Sequence, residues 1–170
     1  MRRAIEVLLV VLLVIIICGL LFGSCNAQAI TRGKFAAEVT KRLGADVTLH
    51  TRRAWAAELQ AEGGSARNNP CNTTLNMPGA TNYNSIGVKN YPTAEIGIEA
   101  TVKTLKEQGH GYHKIRKRLR ANDSATRIVK GFGESEWGTS LTLVLAVLDD
   151  IRNNRTPNTL GQLEARGIAN

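Results

Sequence analysis

The chain has 170 residues, enough for one domain and a short additional segment, whereas two domains of half that size would each lack a core. Aromatics make up 5% of it, charged residues 21%, and 16 positions are glycine, so the core has to come from aliphatics and alanine on small helices, which disfavours a sandwich or barrel. The formal charge of +8 points to polyanionic surroundings and does not by itself choose among them.

Arg2 and Arg3 precede an apolar run from Val7 to Phe22, the pattern of an export signal or membrane anchor, with the arginines holding its start in the cytoplasm. Three fates are open to residues 1–29. Ala27-Gln28-Ala29 fits small-x-small cleavage and would release a protein starting at Ile30; Cys25 is an approximate lipidation site; or the run stays as an anchor, being close to the roughly 18 apolar residues a spanning helix needs. In each case the remainder works outside the cytoplasm. Cys18 and Cys25 go with this segment, which leaves Cys71 alone in the domain, with no partner for a disulfide and no adjacent base to make it a nucleophile.

The domain is expected over residues 30–153, with a tail over 154–170. Phe35, Ala36, Val39 and Leu43 follow helical spacing from Gly33 to Leu43, and Gly44 ends that helix. Thr48 or Thr51 can cap a second helix carrying Ala54, Trp55, Ala57, Leu59 and Ala61, which runs to Glu62 and stops at Gly63-Gly64. Residues 65–92 have no helical period; they read as loop with a short hairpin pairing Tyr83–Ser85 with Val88–Asn90. Thr93 caps a third helix with Ile96, Ala100, Val102 and Leu105. A fourth, from Tyr112 to Ala121, turns Ile115 and Leu119 inward and presents Lys114, Arg116, Lys117, Arg118 and Arg120 as a solvated basic face. Ser124 starts a short helix to Lys130. The last runs from Ser140 to Asn153 on a stripe of Leu141, Val144, Leu145, Leu148 and Ile151, with Asp149-Asp150 on its wet side. The fold class is therefore mostly α with a polar hairpin wedged between helices.

The stretch Ala61 to Tyr91 couples a helix-end glutamate to a run of Asn, Thr, Gly and Tyr. A carboxylate on the last helical turn opposes the helix dipole, at a cost of a few tenths to about 1 kcal/mol. Asn69, Asn72, Thr73 and Thr74 can bond sugar hydroxyls and N-acetyl groups, and Tyr83 and Tyr91 can stack on the flat face of a pyranose. Asn68-Asn69-Pro70 is equally a turn by composition, and Tyr91 and Trp137 equally core. His110 and His113 have no third ligand nearby, so no metal site is expected.

Glu62-Gly63-Gly64, the Asn68-Asn69-Pro70-x-Asn72-Thr73-Thr74 run, Gly87-Val88-Lys89-Asn90-Tyr91 and Trp137-Gly138-Thr139 together resemble the lysozyme-like domains of phage and actinobacterial cell-wall proteins, which are related to lytic transglycosylases and bacterial N-acetylglucosaminidases. The resemblance spans roughly residues 34 to 139. It implies a lysozyme-like fold and a peptidoglycan-cleaving glycosidase without cofactor, acting between N-acetylmuramic acid and N-acetylglucosamine, whose partners are glycan strands and, if the first segment is uncleaved, the membrane. No acidic residue lies between Glu62 and Glu95, which disfavours a second carboxylate on the hairpin and fits a one-glutamate transglycosylase, with Glu62 acting first as acid and then as base. Transglycosylases usually carry a Glu-Ser pair where this chain has Glu62-Gly63, so the hydroxyl that orients the glutamate is missing there; Ser65 is the nearest substitute. The alternative reading is a non-catalytic peptidoglycan-binding or structural module of an envelope, secretion or phage apparatus. Nucleic acid is disfavoured by export and by the lack of a recognition motif.

Overall fold

The computed structural model describes residues 30–155; the expected export segment and tail residues 156–170 lie outside the described residues. Among the described residues no helix is long and apolar enough to cross a membrane. The architecture is mostly helical, with one two-stranded antiparallel sheet.

Helix α1 covers Arg32–Arg42, one residue earlier than the apolar spacing indicates, because Thr31 caps it by accepting from the Lys34 amide. Helix α2, Leu49–Glu62, has both candidate threonines at its start. Thr48 Oγ1 accepts from Thr51 N while Thr51 Oγ1 accepts from Thr48 N, a reciprocal pair that satisfies two donors at the helix end. Gly63, left-handed at φ 60°, ends α2. Strands β1, Thr81–Asn82, and β2, Lys89–Asn90, pair in the register Thr81 to Asn90 and Asn82 to Lys89. The ladder thus begins two residues before the expected Tyr83, whose amide still extends the pairing by donating to Val88 O at 2.7 Å.

Helix α3, Ala94–Lys106, is capped by Thr93 as expected, and α4 spans Tyr112–Arg120. Helix α5 runs over Ala125–Gly133, past the expected stop at Lys130, because Gly131 is taken into the helix, where it lies against the α4 backbone at Ile115. Helix α6, Leu141–Arg152, starts from a Ser140 cap.

Trp55 on α2 centres the main core. Its ring packs edge-on to Phe132 of α5 at 5.1 Å, and its Nε1 donates to Thr40 Oγ1 of α1 at 2.9 Å, so one residue ties three helices together. Leucine, isoleucine and valine side chains from the six helices fill the space around it, and Cys71 from the loop joins them. Burial pushes the Cys71 thiol up, in keeping with a structural residue.

Two expected wet surfaces also tie the helices together, though Lys117 and Arg120 stay exposed. On α4, Arg116 bonds Leu105 O, Arg120 Nε donates to Leu43 O at 2.7 Å, and Arg118 grips Glu134 at 2.8 and 3.0 Å. These cations use their length to reach the ends of neighbouring helices, whose last carbonyls want donors. On α6, Asp150 is buried and paired with Arg155 at 2.7 Å, so only Asp149 of that pair faces water.

The long loop between α2 and β1 rests on α3 at Gly97. A Cβ there would sit 1.8 Å from Asn68 O and 3.4 Å from a Phe35 ring carbon. Gly97→Ala should therefore cost about 3 kcal/mol or more, at the upper end for overpacking, read as a lowered urea midpoint with the slope unchanged.

Candidate functional site

The loop that follows α2 is held by asparagines. Asn69 is fully buried: Nδ2 donates to Thr73 O at 2.8 Å and Lys89 O at 2.7 Å, while Oδ1 accepts from the Thr73 amide and hydroxyl, each at 3.0 Å. Thr73 Oγ1 lies 3.0 Å from Tyr91 Oη, and Tyr91, also fully buried, donates to Leu75 O at 2.8 Å. Asn69, Thr73 and Tyr91 were expected to touch sugar. They stand behind the wall instead, because a loop with this much buried backbone needs internal partners for it. Tyr91 packs with Met77 and Ala100 and offers no face to a ring.

Glu62, Asn72, Thr74 and Tyr83, by contrast, come together. They line an open cleft of ≈ 490 Å³ between the C-terminal end of α2, the hairpin and the start of α6, which Trp137, Gly138 and Thr139 close from the far side. Glu62 is the one carboxylate among its lining residues. Tyr83 and Ile86 are exposed on the hairpin side, an apolar edge facing a polar floor. Trp137 is half-buried and packs edge-on to Tyr112 at 5.9 Å and Phe132 at 5.7 Å, so it serves the core and the cleft together.

Both Glu62 oxygens are engaged. Asn72, held left-handed at φ 50°, donates from Nδ2 to Glu62 Oε2 at 2.9 Å and to Glu62 O at 3.2 Å. The approach is possible because residue 64 is glycine: a Cβ there would lie 2.6 Å from Pro70 O and 3.1 Å from Asn72 Oδ1. Thr139 Oγ1 bonds Glu62 Oε1. The orienting hydroxyl is thus Thr139, brought across from the loop before α6, and not Ser65, whose hydroxyl turns to Gly63 O.

The same Thr139 oxygen lies 2.6 Å from Oε1 of Glu58, a residue the sequence reading did not select. Glu58 is one turn before Glu62 on α2 and fully buried, and its Oε2 has no hydrogen-bond partner among the described residues. Burial pushes its carboxyl up to about 8, against the Thr139 bond and with help from the charge of Glu62. A signal for it was present: Trp55, Glu58, Leu59 and Glu62 follow one helical stripe, so position 58 falls where an apolar residue belongs.

A second groove, of ≈ 400 Å³, lies between α1 and α2 against Ala36, Trp55 and Leu59, and has no carboxylate among its lining residues. His110 pairs with Glu136 at 2.8 Å near the Trp137 rim, and that carboxylate raises the histidine's proton affinity. Compared with protein-family models, curated proteins and solved structures, the chain finds no match.

Glu58 makes stability fall with pH. Its native carboxyl holds a proton up to about 8 while the unfolded one releases it near 4.5, so the native state binds more protons in that window and the slope of unfolding free energy against pH is negative there. The wild type should lose a few kcal/mol between pH 5 and about pH 9. Glu58→Gln should flatten this component and be the more stable protein at the alkaline end, as urea midpoints at the two pH values would show.

Proposed function

We propose that the chain is an exported or membrane-tethered peptidoglycan-cleaving glycosidase of lysozyme-like fold, a lytic transglycosylase acting between N-acetylmuramic acid and N-acetylglucosamine. The observation that carries this reading is the single carboxylate of the cleft, Glu62, fixed at both oxygens by Asn72 and Thr139. A glycosidic oxygen leaves only if it is protonated as its bond breaks, and a positioned carboxyl is the usual source of that proton.

The cleft supports the one-glutamate scheme for a geometric reason. Hydrolysis with retention uses a second carboxyl about 5 Å away across the sugar, and inversion one at about 6.5 to 9.5 Å. Glu58 cannot take either place, since it is sealed in the core on the same helix as Glu62. Attack by the sugar's own 6-hydroxyl needs no second carboxylate. In that scheme Glu62 protonates the leaving oxygen and then accepts the proton of the hydroxyl that closes on the anomeric carbon. Asn72 and Thr74 on the floor and Tyr83 with Ile86 at the edge offer hydrogen bonds and an apolar face to a chain laid along the cleft.

Digestion of purified peptidoglycan by the full chain, with the released fragments weighed by mass spectrometry, tests this. The wild type should release products lighter by one water, and Glu62→Gln should reduce their yield by about a thousandfold while still sedimenting with the wall. Reducing-end products would assign hydrolysis instead. Binding by both proteins with no release from either would make this a glycan-binding module.

A further inference from the structure

The glycosidase reading leaves one requirement unmet. An acid catalyst must have a proton to give, yet the two groups that meet the half-buried Glu62 carboxyl, Asn72 Nδ2 and Thr139 Oγ1, stand as donors to it. The proton balance around Thr139 shows where that hydrogen is kept. One hydroxyl lies within bonding distance of two carboxyl oxygens, Glu58 Oε1 and Glu62 Oε1. It has one hydrogen and can donate to only one of them. The other contact is a hydrogen bond only if that carboxyl is the donor.

Which carboxyl is protonated follows from what else each one meets. Glu62 has Asn72 and the open cleft to support a charge. Glu58 has neither: it is fully buried, no cation pairs with it among the described residues, and its second oxygen finds no donor. The titratable groups around it are Glu62 on its own helix, whose charge adds to the cost of a charge at Glu58, and the buried Cys71 thiol from the loop, which burial keeps neutral. A lone buried carboxylate costs far more than a buried carboxylic acid with one satisfied O–H.

We propose that Glu58, Thr139 and Glu62 form a proton relay in which Glu58 is the resting seat of the hydrogen that Glu62 delivers to substrate. At rest Glu58 Oε1–H donates to Thr139 Oγ1, and Thr139 Oγ1–H donates to Glu62 Oε1. A saccharide in the cleft displaces the water that favours charge on Glu62. The hydrogen of Glu58 then passes to Thr139 Oγ1 as the hydroxyl hydrogen passes to Glu62 Oε1. Two O–H bonds break and two form, Thr139 is restored as a hydroxyl, and the single negative charge moves from Glu62 to Glu58. Glu62 gives its hydrogen to the leaving oxygen and takes one back from the hydroxyl that closes the ring. The reverse double transfer returns it to Glu58, so the cycle needs no other donor. Glu58 touches no substrate and acts through Thr139, which makes it a positioning residue.

This inference rests on the glycosidase reading for its use but not for its existence, so it is tested twice on the full chain. In carbon NMR of glutamate-labelled protein without substrate, the Glu58 carboxyl should titrate near 8, with the Glu62 resonance moving in the same step. That shared step should disappear in Glu58→Gln and uncouple in Thr139→Val. A Glu58 carboxyl that titrates with ordinary carboxylates, or two carboxyls that ignore each other in the wild type, would overturn the relay. In the wall digestion at pH 6 to 7, Glu58→Gln and Thr139→Val should each lose about a hundredfold in kcat with KM kept, and Thr139→Ser should regain most of the loss. The wild-type alkaline limb near 8 should be absent from the residual activity of Glu58→Gln. Wild-type turnover in Glu58→Gln or Thr139→Val, with Glu62→Gln inactive, would overturn the relay and leave the glycosidase standing. A wild type that releases nothing would sink the glycosidase, and the NMR titration would still decide the relay.

Discussion

A carboxyl group sealed inside the core against one hydroxyl is the constraint on which the rest of this structure turns. Glu58 occupies a position on α2 that helical spacing reserves for an apolar side chain, between Trp55 and Leu59. A resting charge there is costly and a neutral acid is best held with a partner, which the loop before α6 supplies in Thr139. The same loop carries Trp137 and Gly138 to the cleft, so one segment supplies both the partner of the buried group and the wall opposite the hairpin.

The other wall is built on a different principle. Residues 63 to 80 form no helix and contribute to the sheet only through the strand that follows, so their backbone groups must find partners one by one. Asn69 does most of this, with three of its four hydrogen-bonding positions committed to Thr73 and one to Lys89. Asn68 adds a bond from Nδ2 to Tyr91 O, and Asn90 Oδ1 takes the Arg67 amide. The polar residues of this stretch are therefore divided between holding the loop and facing the cleft. Asn72 does both, since its left-handed backbone turns the chain and its amide meets Glu62.

That division explains what was legible in the sequence. The helices were readable because their caps are local: Thr48 with Thr51, Thr93 and Ser140 lie next to the apolar periods they start. Glu62 was readable because the Gly63-Gly64 stop puts it at a helix end beside a polar run. Composition could show that Asn69, Thr73 and Tyr91 belong to a hydrogen-bonded region, but not that they point inward, since that depends on which side of the loop α3 covers. The α4 arginines are the same case in charge: a basic face looks solvated until the neighbouring helix ends lie within reach. Thr139 could not be assigned from local pattern at all, being 77 positions from Glu62. Glu58 could have been. An acidic residue inside an apolar stripe breaks the local rule, and such breaks are where functional or strained groups tend to lie.

The two walls also differ in what they would give up under substitution, which bears on how the site is organised. The hairpin wall is a network in which each asparagine is supported by others, so its geometry is shared among many bonds of about 1 kcal/mol each. The far wall, anchored by Trp137 on Tyr112 and Phe132, meets the glutamates at a single oxygen. Thr139 Oγ1 joins the core to the cleft and lies within hydrogen-bond distance of both glutamates. A change in the charge of Glu62 is felt at Glu58 both through space and across that oxygen, and a change at Glu58 is felt at Glu62 in return. Coupling of this kind is reciprocal by thermodynamic necessity, and here the two carboxyls meet across a single hydroxyl.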